Sequence, residues 1–95
     1  MTLEFTGEII EWRGPAPFLF VRTPDSVTEE IKSISRQVTY GWGCLPATLT
    51  VGTTTVTTAL IPREGAYMVP IKAAVQRAEK VGLGDELTIC LEFEV

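Results

Sequence analysis

Apolar and polar positions alternate along much of this chain, and the alternation predicts most of its elements. Leu3 and Phe5 alternate with Thr2, Glu4 and Thr6, and past Gly7 the apolar phase shifts to Ile10 and Trp12. Residues 3–12 therefore predict a strand with a bulge or sharp coil at Gly7. Arg13-Gly14-Pro15-Ala16-Pro17 cannot continue a ladder and predicts a turn, and Phe18–Val21 follows as a second strand, apolar on both sides. Ala47, Leu49 and Val51 share one face of a third strand over residues 46–51, and Gly52-Thr53 turns it into a β-branched fourth strand over 53–61. Pro62–Gly65 predicts a turn, and Ala66–Val69 a short fifth strand. The last strand alternates cleanly, with Leu87, Ile89, Leu91, Phe93 and Val95 inward and Glu86, Thr88, Cys90, Glu92 and Glu94 outward.

Two stretches carry the helical period instead. Val27, Ile31, Ile34 and Val38 recur at helical spacing behind Thr23-Pro24-Asp25-Ser26, which predicts a helix over roughly residues 24–34. Thr23 is a candidate cap, and Ser26 with Glu29 a capping box. Pro70 suits the first position of a second helix, with Ala73, Ala74, Val75 and Ala78 inward and Gly82 as the left-handed residue after it. The total is six strands and two short helices. An open sheet of this size would expose two edges, whereas a closed six-stranded β-barrel with the helices at its ends removes them. The rival is a sheet with both helices packed on one face.

Composition bounds the function. The chain has 95 residues, 45% of them hydrophobic, which suits one small domain over residues 1–95. No apolar run is long enough to span a bilayer, and Met1–Phe5 lacks the basic and apolar blocks of a signal peptide, so the expected compartment is the cytoplasm. Net charge is −4, and the eight Lys and Arg are spread along the chain, which argues against nucleic acid. Cys44 and Cys90 read as reduced thiols, too few for a structural zinc site. The absence of histidine removes the Ser-His-Asp and Cys-His arrangements and His-ligated metals. No metal, no cofactor and no catalytic residue is expected.

Tyr40-Gly41-Trp42-Gly43, Gly52-Thr53-Thr54, Leu60-x-Pro62, Gly65-x-Tyr67-x-Val69-Pro70-Ile71-Lys72-Ala73-Ala74-Val75, Arg77-Ala78 and Gly82-Leu83-x-Asp85 occur in that order. Together with Phe5-x-Gly7-x-Ile9 and Phe20-Val21, this pattern resembles domain-of-unknown-function family 1905 over nearly the whole chain. The resemblance implies a small closed barrel with Greek-key-like connections, and no established activity. A shorter resemblance, in Val69-Pro70-Ile71-Lys72, a helix, Gly82-Leu83-x-Asp85 and an alternating strand, is to the core of AbrB-like regulators and antitoxins. It implies a DNA-binding swapped-hairpin dimer.

The candidate ligand site is a barrel mouth lined by Tyr40, Trp42, Arg63 and Tyr67: two aromatics between glycines, with Arg63 or Arg36 as polar partner. The competing reading makes Trp42 a plug of one barrel end. Asp85 reads as a general base or as the closure of its own turn, and Cys44 as a nucleophile or an inert thiol. Glu4, Glu8, Glu11, Glu92 and Glu94 form an acidic patch if the first and last strands pair. The function expected is a non-catalytic binding or interaction module for a small molecule or a protein partner; the alternative is the AbrB-like DNA-binding dimer.

Overall fold

The computed structural model describes residues 1–14, 18–38 and 45–93. Its elements run β1 (Thr2–Trp12), β2 (Phe18–Arg22), α1 (Asp25–Val38), β3 (Leu45–Val51), β4 (Thr54–Arg63), β5 (Ala66–Pro70), α2 (Ala73–Glu79) and β6 (Glu86–Glu92). The strands close into an antiparallel barrel in the order β1-β2-β5-β4-β3-β6. Closure pairs every strand on both sides, so no row of backbone groups is left at an edge.

The two long strands make closure possible by changing partner halfway. β1 pairs with β6 over Thr2–Glu8 and with β2 over Ile9–Trp12. β4 pairs with β3 over Thr54–Leu60 and with β5 over Ile61–Arg63. The register of β1 is one-to-one on both sides of Gly7, so the expected bulge is absent. The inward phase runs unbroken through Leu3, Phe5, Gly7 and Ile9, and Ile10 and Trp12 face outward. Gly7 is needed for a different reason: a Cβ there would lie 2.6 Å from Cγ1 of Val21, on the paired strand β2.

The core is built from alternation. Leu45, Ala47, Leu49 and Val51 of β3 and Leu87, Ile89 and Leu91 of β6 are all buried, as is Phe93 just beyond. Burying each Leu or Ile side chain stabilises by roughly 1.5–3 kcal/mol. The helices start from opposite ends of the β2–β5 ladder. α1 lays Val27, Ile31 and Ile34 into the core, and α2 adds Val75, with Ile71 before it.

Several local readings are corrected. α1 runs on to Val38. β4 continues through Pro62 and Arg63, and the turn to β5 is only Glu64-Gly65, both at positive φ (50° and 79°), as a tight twisted hairpin requires. Pro70 ends β5 and does not begin α2, which starts at Ala73 after Lys72. Ala73, Ala74 and Ala78 are exposed. With so short a helix, one turn reaches the core, and Val75 fills it. The left-handed residue closing α2 is Lys80 (φ 56°), with Val81 N–H donating to the Gln76 carbonyl at 3.0 Å, two residues before the glycine expected there.

Candidate functional site

A cleft of about 570 Å³ opens at the barrel rim, where β5 leaves the sheet and the chain enters α2. Its apolar walls are Phe18 and Leu19 at the start of β2, Ile61 of β4, and Pro70, Ile71 and Ala73 on the strand-to-helix corner. Three polar side chains line it: Glu11 of β1, and Lys72 and Gln76 flanking the first turn of α2. The corner is held by backbone and side-chain bonds. Ile71 N–H donates to the Leu19 carbonyl (2.9 Å), and Gln76 Nε2 donates to the Ile71 carbonyl (2.8 Å). Lys72 Nζ donates to the carbonyl of Thr57 on β4, which fixes the ammonium at the rim. Glu11 pairs with exposed Arg13 at 3.5 Å.

An aromatic row on the outer surface adjoins this cleft. Trp12 and Phe18 are cross-strand partners with ring centroids 6.4 Å apart, and Phe18 lies 5.9 Å from Phe20. The Arg63 guanidinium carbon sits 3.9 Å from the centroid of the Trp12 ring. Trp12 also folds against Gly14, where a Cβ would lie 2.2 Å from Nε1, so only glycine fits under that indole.

Of the four residues predicted to line a mouth, Tyr40 and Trp42 lie outside the described residues, as do Cys44 and Glu94. Arg63 and Tyr67 are close in sequence but stand on opposite faces of the β4–β5 pair. Arg63 registers with Ala66 and projects outward to Trp12, whereas Tyr67 registers with Pro62 and joins the core. Burial pushes the Tyr67 hydroxyl above its ordinary pKa of 10.0. Its backbone is tied to the start of α1: Thr23 N–H donates to the Tyr67 carbonyl (3.0 Å), and Tyr67 N–H donates to Thr23 Oγ1 (3.1 Å). Thr23 Oγ1 lies 2.7 Å from Thr28 Oγ1, which donates to the Pro24 carbonyl (2.9 Å). The Thr23 hydroxyl thus links a strand to a helix instead of capping the helix. Asp85 closes its own turn, its Oδ2 accepting from Gly82 N–H at 2.8 Å.

The acidic patch forms, because β1 and β6 pair: Glu4, Glu8, Glu86 and Glu92 share an exposed outer face, and Glu8 stands directly opposite Glu86. Threonines continue it, with hydroxyl pairs at Thr6–Thr88 (3.1 Å) and Thr50–Thr55 (3.0 Å). Glu11 departs from this patch and lines the cleft. Sequence reasoning missed the cleft because it placed Pro70 inside the helix, which hides the corner between β5 and α2. It missed Trp12 because it assigned that side chain to the inward phase.

Fold and site together define a small closed antiparallel barrel carrying an apolar cleft at its rim. The chain belongs to the family Domain of unknown function (DUF1905), whose model matches residues 5–91. Comparison with curated proteins gives no match for this chain. Among the described residues, no helix is long and apolar enough to cross a membrane.

Proposed function

We propose that the protein is a non-catalytic binding module whose ligand sits in the rim cleft. The observation that carries this is the cleft itself: about 570 Å³, walled by apolar side chains, with Lys72 and Gln76 each held in place by a carbonyl. That size falls in the roughly 300–1,000 Å³ range of small-molecule sites, which pair apolar walls with a few fixed polar groups. The test is a backbone amide NMR titration with small amphiphiles. Shifts gathered at Leu19 and 71–76, lost in Ala73→Trp, support the reading; Ala73 is exposed and lines the cleft, so the indole fills the space without entering the core. Shifts scattered over the surface and unchanged by that substitution overturn it.

A second placing keeps the ligand at the residues picked out from the sequence, Tyr40, Trp42, Arg63 and Tyr67. The Arg63–Trp12 stack favours it, since it puts a fixed cation beside an aromatic ring on the surface. The AbrB-like reading needs a second chain to complete a swapped barrel. Six strands of one chain close this one, which supports the binding module instead. DNA binding that weakens steeply with salt would restore the dimer.

A further inference from the structure

We infer that the rim cleft selects an anionic amphipath: a carboxylate carried on an apolar chain or ring. The inference rests on the reading of the cleft as the ligand site and names the ligand's class. Two charged side chains line the cleft, and they are not equivalent. Glu11 already has a cation beside it, Arg13 at 3.5 Å. Lys72 has no carboxylate within ion-pair distance among the described residues; its ammonium bonds the Thr57 carbonyl, a neutral acceptor. One N–H of that ammonium is used, and two remain for a ligand. The carbonyl also restrains a side chain whose rotamer freedom would otherwise oppose binding.

The surroundings reinforce the sign. Arg63 is one ring removed from the cleft, since it covers Trp12 and Trp12 packs on the cleft residue Phe18. Gln76 Nε2 spends one hydrogen on the Ile71 carbonyl and has a second. The carboxylates Glu4, Glu8, Glu86 and Glu92 lie on the outer face of the β1–β6 pair, away from this corner. Lys72 is thus the cation that lines the cleft, with Arg13 paired to the cleft carboxylate Glu11 and Arg63 stacked on Trp12 nearby. The apolar body of the ligand would rest on Phe18, Leu19, Ile61, Pro70 and Ile71, and its carboxylate would meet Lys72 in a charge-assisted hydrogen bond.

The probes are octanoate, octanol and octylamine, which share one chain and differ in head charge. Their affinities are measured by the same amide shifts on the full chain. Octanoate is expected to bind roughly tenfold tighter than octylammonium, the scale of one charge-assisted bond. Lys72→Met, which keeps the stem, should abolish that difference, and Lys72→Arg should retain it. Raising salt should weaken octanoate and leave octanol unchanged. Equal binding of all three heads, or tighter binding of octylammonium, overturns the anion preference while the cleft stands as a site. No shift at the cleft with any of the three removes the site itself.

Discussion

Arg63 and Trp12 touch across two intervening strands. The guanidinium carbon lies 3.9 Å from the ring centroid, yet β4 and β1 are separated by β5 and β2 in the sheet. The interior is filled by core side chains, so the contact passes over the outer surface. Beneath that path lie Phe20 of β2 and Met68 of β5, which face outward and are still only 8% and 6% exposed. The stack therefore reads as a strap across an outer apolar layer distinct from the barrel core. An exposed cation over a half-buried indole contributes about 1 kcal/mol. In a double-mutant cycle of Arg63→Ala and Trp12→Phe followed by urea unfolding, a coupling of about that size is expected. Strictly additive effects would mean that the strap adds no energy of its own.

Gly7 makes a sharper prediction. Its missing side chain is the space that Val21, fully buried on the paired strand β2, occupies. Gly7→Ala should destabilise by about 1–3 kcal/mol through overpacking. Val21→Ala removes the colliding methyl, so Gly7→Ala introduced on that background should cost far less. An equal cost on both backgrounds would place the requirement for glycine in the backbone and not in this contact.

Thr23 and Thr28 are the only buried polar residues among those described, and they form a relay that uses each proton once. Tyr67 N–H donates to Thr23 Oγ1, Thr23 to Thr28 Oγ1, and Thr28 to the Pro24 carbonyl. Thr23→Val keeps the shape and removes the acceptor, leaving a buried N–H without a partner, at a cost of about 1–3 kcal/mol. Hydrogen exchange at the Tyr67 amide should accelerate in that variant. Unchanged protection of that amide would show that water or a neighbouring group replaces the hydroxyl.

The barrel was legible because alternation at period two leaves little freedom. The last strand's pattern sends five apolar residues inward, and the four among the described residues, Leu87, Ile89, Leu91 and Phe93, are buried, while Val95 lies outside them. Corners were less legible. Pro70 satisfies the requirements of a strand end and of a helix start equally well, since its fixed φ suits either, and only the pairing of Phe20 with Pro70 decides for the strand. The phase of β1 failed for a related reason. Ile9 and Ile10 are both apolar, so the run reads in either phase, and the outer layer around Phe20 gives Ile10 and Trp12 an apolar setting that a single-core picture does not anticipate. The cleft residues lie at such corners, on four strands, the β5–α2 connection and one helix, and no local spacing connects them.

Tyr67 gives the fold a dependence on alkaline pH. Its hydroxyl is neutral below an ordinary value of 10.0, and desolvation raises that value in the folded chain. Between the unfolded and folded values, the folded state keeps a proton that the unfolded state has released. Stability therefore falls as pH rises above about 10, and no loss from this group occurs below that point. Tyr67→Phe removes the titration and keeps the ring among its core neighbours. The two proteins share every other group, so the informative quantity is the difference between them. Urea unfolding at pH 8 and again above pH 10 should show the wild-type chain losing more stability than Tyr67→Phe between those conditions. Parallel losses in the two proteins would mean that the hydroxyl ionises as freely in the folded chain as in the unfolded one, and that its burial does not restrain it.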